Sequence, residues 1–457
     1  MSDTICAIST ARGKGGVAMI RISGPDALST LRRAFVAFSK GDFEPEPRKC
    51  YYGQILRDGV PIDDVTATYY KAPASYTGED VCEICCHGGI YVTQAVLEVA
   101  LSSGARLAEA GEFTRRAYIN GKLSLSRAEA VGQIIDATND AQLRLSSATR
   151  RGTLSKKLDE IKGIMLDLIA RAYVVVDYPD EDLPSLERGA MIESLSLARD
   201  ELYKLKKSYR AGLAVCEGVK TAIVGRPNAG KSSLYNALSG EELDIVTDIA
   251  GTTRDVIEHT VSVGDVTLRL ADTAGIRDTA DEVEKIGVER ARERLDTAEL
   301  VLCVFDASEV ESSEDWELLS QIEGRSAVAI INKTDKQRKM STALEDEIKK
   351  RIKRVVYMSA KAEKGIDELG RVLNEMYALD EIDLSSDAVI SNARQASSVN
   401  TALQKIEEAC AFLEMGQSPD IVCFSLESAL SCLEMIDARA VSEEIVSQIF
   451  SRFCVGK

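Results

Sequence analysis

A chain of 457 residues has room for about two to four domains, each burying its own core. Apolar residues make up 45% and charged residues 28%, which excludes a disordered chain, while 5% aromatics and a single tryptophan argue against extensive base-stacking platforms. Asp and Glu number 73 against 56 Lys and Arg, a formal charge of -17, so any RNA contact must be local or shared with a partner.

No apolar core of signal-peptide length opens the chain, and no run approaches the ~20 apolar residues of a membrane span. A cytoplasmic location is the default expectation. The 11 cysteines are odd in number and scattered, which suits reduced thiols rather than a disulfide framework.

In chain order, residues 1–118 predict a mixed α+β domain. Its strands fall at Val17–Ile22, Ala67–Tyr70 and Val81–Cys86, between turns such as Ser23-Gly24-Pro25. Residues 119–215 predict helix: turn signals nearly vanish from Ser126 to Ala211. There Leu158, Ile161, Met165, Leu168, Ala172 and Val175 form the stripe of a helix with one buried face, stopped by Pro179. Residues 216–378 alternate short apolar strands (Thr221–Val224, Thr267–Ala271, Leu300–Phe305, Ala327–Ile331, Val355–Met358) with helices, a series that predicts a parallel sheet covered on both faces. Residues 379–457 return to helix. Ala402–Met415 ends at Gly416, and the stripes Leu426, Leu430, Leu433, Ile436 and Ile445, Ile449, Phe453 follow. The helical blocks form either one bundle with the α/β unit inserted, the arrangement expected here, or two separate caps.

The chemistry concentrates in the α/β segment. Gly225-Arg226-Pro227-Asn228-Ala229-Gly230-Lys231-Ser232 fits G-x-x-x-x-G-K-S, after a strand and before a helix. Such a loop wraps phosphates with backbone N–H groups at a helix N-terminus, here drawn from Asn228 to Ser233. Lys231 reaches the β- and γ-phosphates, and the Ser232 hydroxyl ligates Mg²⁺. Asp272-Thr273-Ala274-Gly275 follows a strand, which puts a carboxylate near the metal and the Gly275 N–H near the γ-phosphate. Between them, Gly251-Thr252-Thr253-Arg254-Asp255 offers the Thr253 hydroxyl as a second Mg²⁺ ligand. Asn332-Lys333-Thr334-Asp335 selects the base, because a carboxylate accepts from guanine N1–H and its exocyclic amine, which adenine does not present. Ser359-Ala360-Lys361 completes the base pocket. Five motifs in this order predict a Ras-like P-loop domain that hydrolyses GTP. Ras-like GTPases carry a water-orienting glutamine where this chain has Ile276. The acidic run Asp281-Glu282-Val283-Glu284 is either the replacement or an acidic helix N-terminus.

These motifs (GRPNAGKSSL, DIAGTTRD, DTAGIRDTADEVEKIG, NKTD), together with the N-terminal RISG, YTGEDVCEICCHGG and GEFTRRAYINGKLSL and the tail Phe453-Cys454-Val455-Gly456-Lys457, resemble the tRNA-modification GTPase family MnmE (TrmE) of bacteria and organelles. The resemblance implies a folate-binding, dimerising N-terminal domain, a helical domain, and a GTPase domain inserted into it. It implies a homodimer that works with the flavoprotein MnmG on the wobble uridine of tRNA. There it installs an aminomethyl or carboxymethylaminomethyl group, with the carbon from a 5,10-methylene form of tetrahydrofolate. It implies potassium where other systems use an arginine finger, held by Asn228, Thr247, Ile249 and Thr252, with Thr247 also lining the nucleotide site. It assigns Glu284 to orienting water, Cys454 to an active-site thiol, and Arg21, Glu83, Lys122 and Lys457 to folate, also in its 5-formyl form.

Other readings carry less. The C-x-x-C at Cys82 and Cys85 suggests zinc, but as strand residues the two would point to opposite faces. Arg12-Gly13-Lys14-Gly15-Gly16 suggests a phosphate loop, yet no suitable helix follows. The rival functions are an RNA-binding ribosome-assembly GTPase and a GTP-controlled scaffold; the acidic composition and the absence of a G-x-x-G clamp after the GTPase segment weigh against the former.

Overall fold

Alternation of apolar and polar residues builds the first sheet. In the structure, a computed structural model describing residues 3–38, 43–177, 188–239, 259–270, 295–437, 443–451 and 453–457, the chain opens with β1 (Ile5–Ile8), β2 (Val17–Ser23), α1 (Ala27–Ala34), β3 (Phe35–Ala37), β4 (Cys50–Arg57), β5 (Val60–Tyr70), β6 (Val81–His87), α2 (Ile90–Ser102) and β7 (Arg106–Leu107). The strand order is β3-β4-β5-β6-β2-β1-β7. Ile20, Ile22, Cys82 and Ile84 point into a core that also takes in Leu31 and Val96 from α1 and α2. Their neighbours Arg21 and Glu83 therefore face the other side, paired across β2 and β6. Cys82 is buried and Cys85 exposed, the opposite-face placement expected of strand residues.

Helices follow as α3 (Glu112–Ile119), α4 (Leu125–Asp136), α5 (Asp140–Arg151), α6 (Thr153–Asp177) and α7 (Arg188–Cys216). The helical tract is thus more broken than its lack of turn residues suggested. Three residues, 137–139, separate α4 from α5, and Gly152 in a left-handed conformation (φ 95°) separates α5 from α6. The expected α6 stripe from Leu158 to Ala172 is buried. The Val175 side chain and Pro179 lie outside the described residues.

The α/β segment runs β8 (Val219–Val224), α8 (Lys231–Ser239), β9 (His259–Val263), β10 (Val266–Leu270), β11 (Leu300–Asp306), α9 (Ser313–Gln321), β12 (Ala327–Asn332), α10 (Thr342–Arg351), β13 (Val355–Tyr357) and α11 (Ile366–Met376). Its sheet, in the order β13-β12-β11-β8-β10-β9, is parallel except for the edge strand β9, which pairs antiparallel with β10 across the tight turn at Gly264. That edge strand was missed in the sequence because His259–Val263 is short and only alternately apolar. Last come α12 (Ala393–Glu414), α13 (Pro419–Asp437) and α14 (Glu443–Phe450), with Gly416 in the left-handed cap beyond α12.

The described residues divide into two compact units. One holds Met1–Ile135, Arg150–Ser155 and Leu430–Lys457; the other holds Asp136–Thr149 and Lys156–Ala429. In the second unit α7 and α12, which flank the α/β segment in sequence, pack side by side. In the first unit Val446 and Phe450 of α14 pack on Tyr118 and on Leu125 and Ala128 of α4.

Close approach sets one composition rule. A Cβ on Gly212 of α7 would stand 2.0 Å from the Ile390 carbonyl oxygen. Gly212→Ala is expected to lose about 1–3 kcal/mol despite the better helix propensity of alanine. A lowered melting temperature in calorimetry checks this, and an unchanged one refutes it.

Candidate functional site

The phosphate loop hangs between β8 and α8, and its shape follows from three constraints. Asn228 takes a left-handed conformation (φ 63°), uncommon for a residue with a side chain. A Cβ on Gly225 would lie 2.4 Å from the Val304 carbonyl oxygen, and one on Gly230 would lie 2.2 Å from Asn332 Nδ2, so both positions need glycine. Arg226, only one-tenth exposed, anchors the loop sideways by donating to the Val310 carbonyl at 3.0 Å.

Lys231 Nζ donates to the carbonyls of Gly225 (2.8 Å) and Arg226 (2.9 Å), across the mouth of the loop. Burial lowers its pKa below the usual lysine range. A desolvated cation beside a helix N-terminus can receive phosphate oxygens, whose charge reverses that cost. Ser232 and Ser233 are exposed in the first turn of α8.

The base side is stitched to the phosphate side by one amide. Asn332 Nδ2 donates to the Ala229 carbonyl at 3.0 Å, and its Oδ1 accepts from the Ala360 N–H at 3.0 Å. Lys333, itself left-handed (φ 61°), sends Nζ to the Asn228 carbonyl (2.7 Å) and to Asp306 (2.5 Å). Burial pushes the Asp306 carboxyl up, but hydrogen bonds from Lys333 and Ser308 outweigh it and leave the group below the usual carboxylate range. Asp306 is a site residue the sequence reading missed; its only signal is the position at the end of an apolar strand.

Asp335 accepts from the Ser359 hydroxyl at 2.6 Å, which lowers its pKa, with Lys361 contributing in the same direction. Asp335 itself is exposed, so its carboxylate is open to the solvent side. Asn228, Ala229, Gly230, Lys231, Asn332, Lys333, Asp335, Ser359 and Ala360 are thus brought together by the strand ends of β8, β11, β12 and β13. Thr247, Ile249, Thr252, Thr253, Asp272, Gly275, Ile276 and Glu284 lie outside the described residues.

A second cluster occupies the outward face of the N-terminal sheet. Arg21 Nε donates to Glu83 Oε1 at 2.9 Å, and both side chains are mostly buried. The Arg21 guanidinium lies over the rings of Tyr76 (5.1 Å) and Phe113 (5.8 Å). The Phe113 N–H donates to the Lys457 carbonyl at 3.1 Å, Gly111 N–H reaches the Cys454 carbonyl, and Val455 bridges Ala110. The tail is therefore threaded onto the start of α3, and Cys454 is exposed there. Lys122 Nζ donates to the Pro73 carbonyl, on the loop that carries Tyr76.

An ion network underlies this face. Arg116, nine-tenths buried, meets Asp3 (2.9 Å), Glu112 (2.9 Å) and Glu79 (3.1 Å), and Glu79 accepts from the Ser23 hydroxyl. Arg106 beside Asp3 holds that carboxyl down at about 2. Only the Glu112/Arg116 spacing of i, i+4 could have flagged this network beforehand.

The profile described as "GTP-binding protein TrmE N-terminus" matches residues 4–122, and that of the "MnmE helical domain" matches residues 125–454. The chain is 39% identical over 460 residues to the tRNA modification GTPase MnmE of Clostridioides difficile (strain 630), with 100% of each chain covered. It is 41% identical over 463 residues to that of Bacillus pumilus (strain SAFR-032), again with 100% of each covered. The chain belongs to the tRNA modification GTPase MnmE family. Among solved structures, the G domain of the T. maritima FeoB iron transporter is similar over 35% of this chain and 98% of its own, with 27% identity and a TM-score of 0.25. No helix among the described residues is long and apolar enough to cross a membrane.

Asp335→Asn is expected to weaken GTP binding by about a hundredfold or more and to improve binding of xanthosine triphosphate, whose carbonyl replaces the amine of guanine. Titration with fluorescent nucleotides checks both. Because the Asp335 pKa is lowered, the GTP preference should survive mild acid and fade only as pH falls through that lowered value.

Proposed function

We propose that this chain hydrolyses GTP in the cytoplasm to drive modification of the tRNA wobble uridine at C5, adding an aminomethyl or carboxymethylaminomethyl group together with the MnmG flavoprotein. The observation that carries the GTPase part is the Asn332 amide, which ties the phosphate loop to the guanine-selecting loops in one frame. The Arg21–Glu83 cluster, with the Cys454 tail threaded beside it, carries the one-carbon part.

In this reading residues 1–118 form the folate-binding and dimerising domain, 119–215 and 379–457 the helical domain, and 216–378 the inserted GTPase domain. Ser232 and Thr253 hold Mg²⁺. Asn228 supplies an oxygen for K⁺, with Thr247, Thr252 and the Ile249 carbonyl; Asn228 stands exposed on its left-handed turn. A monovalent cation there supplies positive charge where negative charge develops on the phosphates. Lys231 exchanges its carbonyl partners for phosphate oxygens, Asp272 and the Gly275 N–H orient the γ-phosphate end, and Glu284 replaces the missing glutamine in positioning water.

On the N-terminal face, Arg21, Lys122 and Lys457 suit the glutamate carboxylates of a tetrahydrofolate, and Glu83 suits pterin N–H donors. The aromatic floor of Tyr76 and Phe113 fits a flat heterocycle. Cys454 is the thiol offered to the reaction.

GTP turnover is expected to be about tenfold or more faster in potassium than in sodium, and Glu284→Ala should bind GTP yet turn over about a hundredfold more slowly. Equal rates in the two salts, or normal turnover by the variant, would remove those assignments. Arg21→Ala should abolish binding of 5-formyl-tetrahydrofolate in calorimetric titration while GTP hydrolysis continues. Mass spectrometry of tRNA nucleosides from cells lacking the protein tests the whole reading: undiminished wobble modification would end it.

A further inference from the structure

The phosphate loop is fastened to a neighbour that belongs to none of the nucleotide motifs: residues 307–312, which join β11 to α9. Two side chains make the attachment. Before the segment begins, Asp306 holds Lys333, whose Nζ also donates to the Asn228 carbonyl at 2.7 Å. Toward its end stands Arg226, the residue after the first glycine of the loop. Arg226 Nη1 donates to the Val310 carbonyl at 3.0 Å and lies 3.5 Å from an Asp315 carboxylate oxygen, while Nη2 donates to Glu309 at 3.3 Å.

Asp315 is 2% exposed, a depth at which a carboxylate needs compensation. Its Oδ2 accepts from the Ser312 N–H at 3.0 Å and so closes the N-terminal cap of α9. Its Oδ1 is buried and accepts no hydrogen bond among the described residues. The charge that balances it among those residues is Arg226, whose side chain is itself only 10% exposed. Glu309 is well exposed, so its bond to Arg226 contributes little. One buried carboxylate therefore fixes both a helix end and the guanidinium.

The backbone of Arg226 in turn places the lysine of the loop. Its carbonyl accepts from Lys231 Nζ at 2.9 Å and from the Ala229 N–H at 3.3 Å, and the Gly225 carbonyl takes a second bond from Lys231. A residue whose side chain is locked at its far end leaves its own carbonyl few orientations. Burial lowers the Lys231 pKa and the Glu314 carboxylate acts the other way, which puts the first turn of α9 within electrostatic reach of the lysine.

We propose that Arg226 is a positioning residue for GTP binding: braced by Asp315 and Val310, it holds the phosphate loop in its receiving shape, with Lys231 across the mouth, before nucleotide arrives. Its guanidinium is engaged on the α9 side, so it acts through the loop backbone and Lys231. A loop ordered in advance loses less freedom on binding, and the gain is equal in the ground state and the transition state. The signature is a change in affinity and KM with kcat retained. Base preference is retained as well, because Asp335 is held by Ser359 and not by Arg226.

The test uses the full-length protein and measures dissociation constants of GDP and inosine diphosphate by displacement of a fluorescent nucleotide, alongside GTP turnover. In Arg226→Ala, GDP affinity should fall about tenfold and KM should rise about as much, with kcat within about twofold and the preference for GDP over inosine diphosphate unchanged. Arg226→Lys keeps a charge near Asp315 but loses the fork that reaches Val310 and the carboxylates together, so it should weaken GDP by about threefold. Asp315→Asn still accepts from the Ser312 N–H and should also weaken GDP by about threefold. Arg226→Ala/Asp315→Asn should be no weaker than Arg226→Ala alone, because the two side chains act as one unit. That pair also removes the uncompensated buried charge, so it carries the test if Arg226→Ala alone does not fold. Wild-type GDP affinity in Arg226→Ala or in the pair would overturn the proposal, as would a loss confined to kcat or a loss of base preference in step with affinity. Additive losses in the pair would overturn the bracing by Asp315.

Discussion

Everything at the nucleotide site hangs on the carboxamide of Asn332. It is buried, it can donate and accept at once, and it does both, to the phosphate loop at Ala229 and to the base loop at Ala360. Neither an aspartate nor a leucine of similar volume could satisfy a carbonyl and an N–H simultaneously, and a buried unpaired backbone group costs about 1–3 kcal/mol. Gly230 completes the constraint, since any side chain there would collide with the same amide. Lys333 repeats the pattern one residue later by joining Asn228 to Asp306, so the phosphate and base subsites form one rigid frame.

The N-terminal unit solves a different problem. Its sheet buries Ile20, Ile22 and Ile84 under α1 and α2, and alternation then forces Arg21 and Glu83 onto the opposite face. Two charges on a mostly covered face must be paired, and they are, with Tyr76 and Phe113 beneath the guanidinium. The Arg116 network with Asp3, Glu79 and Glu112 pins the surrounding loops, and the tail from Cys454 to Lys457 is fixed by backbone bonds to Gly111 and Phe113.

Much of this was legible in the sequence because it is local. The phosphate loop, NKTD and Ser359-Ala360-Lys361 are runs of adjacent residues whose spacing is set by backbone geometry, and strand alternation placed Cys82 and Cys85 on opposite faces. What was not legible joins residues far apart. Nothing near Asp306 announces that it will hold Lys333, and the hairpin edge β9 is too short to stand out. The breaks at 137–139 and Gly152 were hidden because Thr138 and Asn139 end one helix and cap the next without proline. The tail's attachment to Gly111 and Phe113 also needs the fold, since more than 300 residues intervene.

Those hidden breaks matter for the energetics of the whole chain. The breaks at 137–139 and Gly152 leave α5 a short helix whose cap and first turns bond the β9–β10 hairpin within the second unit. The contact is polar rather than apolar, so it is directional: a small rotation of the hairpin breaks hydrogen bonds outright, where an oily interface would slide. Directional bonds on a short, capped helix therefore fix its register against the hairpin, which a leucine-lined contact of the same size would leave free to shift.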